Sequence, residues 1–367
     1  MKILHIITDV NTGGALSLLR KITSENSNSK IKHTIISIKA PNNDFKISNI
    51  EKVYSLNVKR NVFIFLKLFK LIKIIKSENP NVIQTWMYHS DLIGGIAAKI
   101  LGIKKIYWSI LSYSISKEHV KFSTRIIVYI NAFLSFYIPE KIIFCASSAQ
   151  SIHEKIGYCR KKFIHIPIGF NVKNDFFIRD NLNKIISFHI GCIARWDPDK
   201  DHRNLFNALR ILDKKNINYR CDLIGPMMID NNKELQLLIK QTNVDKSKLK
   251  LMGFVKNLNQ VYLNFDICIL SSRTEAFPIV IGESMIMGTP VIATDTGDVK
   301  KISNQFGWVV PLKNPEKLSE SILDAISKSS DKSAWNRFRL GAHKHIINNY
   351  STNDMLNRYN RLWKTNN

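Results

Sequence analysis

Short apolar runs rich in β-branched residues alternate with helical patterns along nearly the whole chain. That alternation admits one broad class of fold, α/β, with βα units building parallel sheets. In the first half, strand-like runs fall at residues 2–8, 34–38, 82–85, 106–109 and 142–146, and helical patterns at 15–22, 63–76, 91–101 and 123–137. A polar, Asn-rich stretch from Asn171 to Asn183 interrupts the pattern and reads as a linker. The pattern then restarts, with strands at 185–194, 221–224, 265–270 and 291–294 and helices at 203–214, 233–242 and 278–287. A single core rarely grows beyond about 250–300 residues, so 367 residues suit two domains. The expected architecture is two Rossmann-like halves facing across a cleft, residues 1–170 and 185–350, with a linker at 171–184. Residues 351–367 fit a closing amphipathic helix. Ser351 would cap it, and Met355, Leu356, Tyr359 and Trp363 would share one face.

Composition narrows the class further. Hydrophobic residues at 45% and charged residues at 23% are those of a globular protein. No run reaches the ~18–20 uninterrupted apolar residues of a membrane-spanning helix, and residues 1–8 are too short for a signal-peptide core, so a cytoplasmic protein is expected. The five cysteines are scattered, mostly in apolar strands, with no Cys-x-x-Cys. They read as reduced core thiols and argue against a zinc site. Lys and Arg total 54 against 29 Asp and Glu, a net charge of +25. Such a field attracts nucleic acid, anionic lipid or phosphorylated substrates. Part of the excess is compositional, since the chain is rich in Lys, Asn and Ile throughout.

The densest chemical signal is the stretch from Ser271 to Glu283, with Glu275 and Glu283 eight positions apart. An apolar strand precedes it, Pro278 suits a first helical turn, and Gly288-Thr-Pro290 ends the helix before another strand. Glu275 is thus expected in the loop at a strand's carboxyl end, where open α/β sheets bind ligands, with Glu283 one to two turns into the helix. The backbone N–H groups of Ala276 and Phe277 would favour an anion at that helix start. Two carboxylates so spaced can accept hydrogen bonds from two separate sugar rings. The structural alternative is an acidic helix start with a solvent-facing Glu283. The context Glu-Ala-Phe-Pro…Gly-Glu-Ser-Met…Gly-Thr-Pro-Val resembles the Glu-x7-Glu motif of retaining glycosyltransferases of the GT-B fold, glycosyltransferase family 4. Gln84-Thr-Trp-Met-Tyr-His-Ser-Asp91-Leu-Ile-Gly-Gly95, after another strand, more closely resembles a bacterial subgroup of that family that builds surface polysaccharides, O-antigen and capsule.

The resemblance spans most of the chain and is strongest over residues 186–312. It implies that Glu275 and Glu283 hold the donor hexose and ribose, and that the closing helix crosses back to the first domain. Arg195 and Lys200, in Gly191-Cys-Ile-Ala-Arg-Trp-Asp-Pro-Asp-Lys200, resemble the family's Arg-x-x-x-x-Lys pair on the leaving diphosphate. Positioned cations there stabilise the departing charge without a metal. Asp197, Asp199 and Asp201 lack the Gly and distal Glu of a calcium loop and read as a turn. Gly13 and Gly14, between the first strand and helix, match a loop facing donor phosphate and acceptor; a tight turn is the alternative. His89 would point into the cleft, or be a satisfied structural histidine, and Asp91 would cap a helix or bind an acceptor hydroxyl. Three segments depart from the family pattern: Trp108-Ser-Ile-Leu-Ser-Tyr-Ser114, Pro167-Ile-Gly169 and Gly225-Pro-Met227.

On a helical wheel of residues 63–76, one arc is apolar and the opposite arc interleaves Lys67, Lys70, Lys73 and Lys76 with Phe63, Leu66, Phe69 and Ile74. A face both cationic and apolar suits an anionic membrane surface; a lysine-coated helix is the alternative. Lys117–Lys121, Arg125 and the apolar helix after it would add to the same surface. The expectation is therefore a metal-independent retaining transferase at the inner face of the cell membrane. It would take a nucleotide sugar (UDP-linked) as co-substrate without further cofactor, and a lipid-linked glycan as acceptor. Two alternatives are a catalytically inactive sugar-nucleotide-binding subunit and a basic nucleic-acid-associated protein. No nucleic-acid-binding motif is present, so no nucleic acid is expected as partner.

Overall fold

The structure is a computed structural model that describes residues 1–11, 13–25, 30–42, 47–58, 67–113, 115, 120–171 and 187–365. Expectations for Phe63, Leu66, Ser114, residues 117–119, the linker beyond Asn171 and residues 185–186 lie outside the described residues. The chain divides into two compact units, Met1–Ile168 with Asn353–Asn367, and Gly169–Thr352.

In the first unit the strands are β1 (Lys2–Ile7), β2 (Lys32–Ser37), β3 (Ile50–Ser55), β4 (Val82–Trp86), β5 (Ile106–Ile110), β6 (Lys141–Phe144) and β7 (Phe163–His165). They form one parallel sheet in the order β3-β2-β1-β4-β5-β6-β7. The helices are α1 (Gly14–Glu25), α2 (Leu68–Glu78), α3 (Tyr88–Ile100), α4 (Phe122–Leu134) and α5 (Ser147–Ile156).

The second unit repeats the plan with β8 (Phe188–Ile193), β9 (Tyr219–Ile224), β10 (Leu249–Gly253), β11 (Ile267–Leu270), β12 (Val291–Thr294) and β13 (Gly307–Val310). Their order is β10-β9-β8-β11-β12-β13, again parallel. Its helices are α6 (His202–Lys214), α7 (Lys233–Thr242), α8 (Asn259–Leu263), α9 (Ile279–Ile286), α10 (Val299–Ser303), α11 (Pro315–Ser329) and α12 (Lys332–Asn349). Strands buried on both faces need continuous apolar runs, and β8, β11 and β12 are buried at every position.

The four strands that pattern reading missed, β3, β7, β10 and β13, are the outer strands of the two sheets. An edge strand has one neighbour and one covered side, so its sequence need not be a continuous apolar run. Ile50-Glu-Lys-Val-Tyr-Ser55 shows this, with exposed Glu51, Lys52 and Val53. What pins β3 is polar. The buried Glu78 of α2 accepts from Tyr54 Oη (2.5 Å) and pairs with Lys52 (3.0 Å) and Lys2 (3.1 Å). The Tyr54 hydrogen bond is the largest influence; burial opposes it, and the hydrogen bonds from Lys52 and Lys2 tip the balance, lowering the Glu78 pKa to about 2.

The last helix, α13 (Thr352–Lys364), packs on the first unit. Met355, Tyr359 and Trp363 are each at most 1% exposed. Trp363 Nε1 donates to Gln84 Oε1 (2.9 Å), and Tyr107 Oη donates to the Leu362 carbonyl (3.0 Å). Beside Trp363 lie His5 and His33, whose rings stack and share a 3.0 Å hydrogen bond. Burial, reinforced for His5 by its neighbour, holds the His5 pKa well below the usual imidazole value; burial alone lowers His33 to about 4. An unfolded histidine takes up its proton near pH 6.5, so this neutral pair favours the fold above that pH and ceases to do so as pH falls toward 4. His33 alone is expected to cost on the order of 3 kcal/mol between pH 7 and pH 4. Glu78 adds its loss only below about pH 4.5. Urea midpoints should decline steadily from pH 6.5 downward; a flat midpoint to pH 4.5 would contradict a neutral His5–His33 pair.

Candidate active site

In a doubly wound sheet, the crevice for a ligand opens where the strand order reverses, at the carboxyl ends of the two strands there. In the second unit that point is between β8 and β11. The loops leaving these two strands are the two that carry Arg195–Lys200 and Glu275.

Local chemistry shapes the first loop. Asp197 accepts the Asp199 N–H (2.9 Å) and its carbonyl accepts the Lys200 N–H (3.0 Å), folding Pro198–Lys200 into a single turn. The second loop is tied to it at three places. Ser271 Oγ donates to the Lys200 carbonyl (2.8 Å), the Arg273 N–H to the Asp199 carbonyl (2.7 Å), and the Arg273 guanidinium pairs with Asp201 (3.0 Å). Asp197 and Asp201 are thus engaged in the turn and its ties. Among the described residues, no group of three or more His, Cys, Asp or Glu is placed to hold a metal ion.

The result is a direct contact between two expected site residues. Lys200 Nζ donates to Glu275 Oε1, with side chains 17% and 15% exposed. Ser272 Oγ donates to the same oxygen (2.8 Å), and the Glu275 N–H donates to Thr296 Oγ1 (3.1 Å). A third loop, after β12, closes around them. The Asp298 N–H donates to the Ala276 carbonyl (3.0 Å). Gly297 sits at φ +58°, where a Cβ would lie 2.2 Å from the Glu275 carbonyl oxygen, so only glycine lets the two loops meet. Ser272, Thr296 and Gly297 escaped sequence reading; the available signal was Asp295-Thr-Gly-Asp298 at a strand's carboxyl end.

Arg195 stands apart from this contact. It is 59% exposed and its guanidinium binds Asp197 (2.9 Å). An exposed pair of this kind is worth little, so the guanidinium is readily exchanged to an incoming anion. Glu283 is the fifth residue of α9 and accepts from Tyr262 Oη (2.9 Å). Pro278 precedes the helix as its N-cap, φ −74° and ψ 97°, rather than lying in the first turn, since α9 starts at Ile279. Ala276 and Phe277 are buried, and the Phe277 ring packs on Phe170 and Tyr350. Only their backbones are suited to a ligand. Beneath the site burial pushes the Cys192 thiol up to about 12, and all five cysteines are buried, none of them in a disulfide. A cavity of about 600 Å³ nearby is lined by Trp196, Pro198, Arg203, Leu237 and Arg273. Lys200, Glu275 and Glu283 do not line it, so it is not the candidate donor site.

The first unit's sheet reverses between β1 and β4. The loops there carry Gly13, Gly14 and His89. Gly13 has φ +111°, and neither glycine has an atom within 4 Å of where a Cβ would stand, so the requirement is conformational rather than steric. His89, second in α3, is 8% exposed; burial, then the Lys39 charge, lowers its pKa. Asp91 corrects the expectation. It is the fourth residue of α3, not its cap, and is fully buried, accepting from Thr85 Oγ1 (2.5 Å). Burial raises its pKa well above the usual range. A carboxyl group closed off in this way is not an acceptor ligand. Ser109, in the departing segment, is buried and accepts from Gln84 Nε2 (2.8 Å). Lys67, Lys70, Lys73 and Lys76 are all exposed on or beside α2, with Lys70 reaching the Ser55 carbonyl (2.9 Å).

Two parallel α/β units, the second holding an acid–cation pair at its switch point, define the GT-B class of glycosyltransferases. Residues 176–339, within the second unit, match the family described as "Glycosyl transferases group 1". The chain is 22% identical to the capsular polysaccharide biosynthesis glycosyltransferase CapM of Staphylococcus aureus, over 99% of this chain and 97% of that protein. It is 24% identical to the N,N'-diacetylbacillosaminyl-diphospho-undecaprenol alpha-1,3-N-acetylgalactosaminyltransferase of Campylobacter jejuni, over 83% of this chain and 82% of that one. Anabaena HepE in complex with UDP superposes with a TM-score of 0.80 at 17% identity, covering 98% of this chain and 99% of that one.

Proposed function

We propose that this glycosyltransferase moves a hexose or N-acetylhexosamine from a UDP-sugar to a lipid-linked saccharide, with retention, in bacterial surface polysaccharide assembly. The observation that carries this reading is the Lys200–Glu275 contact at the switch point of the second sheet, with Arg195 on the same loop. It joins a cation suited to a diphosphate to a carboxylate suited to sugar hydroxyls. In this reading Lys200 exchanges Glu275 for the diphosphate, Arg195 leaves Asp197 for the same group, and Glu275 turns to the donor sugar. Glu283 takes the ribose. Two cations stabilise the charge gathering on the departing phosphate, which makes a metal unnecessary. The acceptor hydroxyl attacks from the leaving-group side and passes its proton to the departing phosphate oxygen, so no protein nucleophile is required. Gly13 and Gly14 face the donor phosphate and the acceptor, and His89 serves the acceptor side.

The relatives support the substrate classes. CapM is named for capsular polysaccharide, the Campylobacter enzyme for a diphospho-undecaprenol acceptor, and the HepE structure holds UDP. Purified protein incubated with membrane lipid extract and a panel of nucleotide sugars tests the reading. One donor is expected to release nucleoside diphosphate and give a larger glycolipid, equally well with a chelator present. The new linkage should keep the donor's anomeric configuration by NMR. Binding of a UDP-sugar without release of UDP from any donor would instead identify an inactive binding subunit.

A further inference from the structure

The geometry points to α4 as a seat for a lipid bilayer with anionic headgroups, its apolar outer face entering the hydrocarbon boundary. The helix is apolar on both sides. Val128, Asn131 and Ala132 are buried, and Asn131 Nδ2 donates to the Tyr88 carbonyl (2.8 Å), which fixes the rotation of α4 about its axis. On the other side Phe122, Ile126, Tyr129, Ile130 and Phe133 are 41–75% exposed. At 3.6 residues per turn these five span an arc of about 100°. Tyr137, just beyond the helix, is 61% exposed. Single exposed apolar residues mean little, but a contiguous stripe of aromatic and branched side chains marks an interaction surface.

Charge selects the occupant. Residues 120–139 contain no Asp or Glu. At the far end of the stripe Lys162 Nζ donates to the carbonyls of Ser135 and Phe136. Helices α2 and α4 both pack on α3, and packed helices lie 8–10 Å apart. The exposed row Lys67, Lys70, Lys73 and Lys76 therefore lies one helix away from α4, with Phe69, 81% exposed, among the lysines. An anionic bilayer answers both surfaces at once, hydrocarbon for α4 and headgroups for α2. A second copy would instead bring one net charge of +25 against another. The sequence sets the apolar helix after Arg125 beside the lysine row, and the structure shows which of its sides is exposed. Only the use of this seat, access to a lipid-carried acceptor, rests on the proposed function.

The test is cosedimentation of the full chain with phosphatidylcholine vesicles, with and without phosphatidylglycerol, and no sugar donor. The parent should bind the anionic vesicles. The double variant Ile126→Glu with Phe133→Glu should bind roughly tenfold or more weakly while keeping its circular dichroism. Changing Lys67, Lys70, Lys73 and Lys76 to Gln should remove the preference for phosphatidylglycerol but leave residual binding. Equal binding by parent and double variant overturns the proposal. So does a parent that ignores vesicles, or one that light scattering shows to be a dimer dissociated by the Glu substitutions. Failure of sugar transfer in the parent counts against the proposed function alone, because vesicle binding is read without donor or acceptor.

Discussion

Glu275→Ala is expected to lower kcat/KM for sugar transfer by at least about 100-fold, the scale of losing one positioned electrostatic group from a transition state. The carboxylate contacts Lys200 and Ser272, and its loop is tied to two neighbouring loops. Removing it takes away the proposed sugar ligand and leaves a mostly buried ammonium without that partner, so a structural explanation has to be separated from a chemical one. Glu275→Gln does this. The amide keeps an oxygen for Lys200 and Ser272 but loses the charge, so stability should stay near the parent's while transfer still collapses. Lys200→Ala should lose rate as well, since Arg195 alone then faces the leaving diphosphate. Steady-state kinetics with thermal melts for each variant decide the matter. An alanine variant that turns over like the parent would refute the role assigned to Glu275.

Trp363→Ala should destabilise the first unit by about 3–5 kcal/mol, the usual cost of deleting a fully buried aromatic side chain. The loss has identifiable parts: the ring's contacts with His5, His33 and Tyr359, and the hydrogen bond to Gln84. Gln84 Oε1 would be left buried without that donor, which adds to the cavity cost. For a unit of this size the melting transition should fall by roughly 10 °C, and Trp363→Phe should recover much of it. The second unit's core, built on residues such as Phe206, Leu209 and Leu223, should melt where it did before. An unchanged first transition would mean that α13 is not part of that unit's core.

The strong periodic segments were legible because local chemistry dictates them. A fully buried strand such as Ile267–Leu270 is a continuous apolar run, and the Gly288-Thr-Pro290 stop follows from backbone geometry. The Glu275–Glu283 stretch was legible for a related reason, since its loop, helix start and strand neighbours are contiguous in the chain. Asp91 was misread because burial depends on neighbours distant in sequence. Nothing in Ser90-Asp91-Leu92 tells that Thr85 closes over the carboxyl group. Which side of α4 is exposed was illegible for the same cause, since it is known only once the inner side is packed.

By itself, then, the order of residues determined that this protein would be α/β, built from repeated βα units, with acids and cations placed in loops after strands. Only the tertiary structure decided that β8 pairs with β11, which puts Lys200 against Glu275 across 75 residues of chain. The same holds for β1 and β4 in the first unit, and for the return of α13 to the sheet where the chain began. Periodicity reports which side of an element is covered. It carries no information on which other element does the covering, because burial of apolar surface is non-directional and pairing is settled by the competition of all strands and helices for one another.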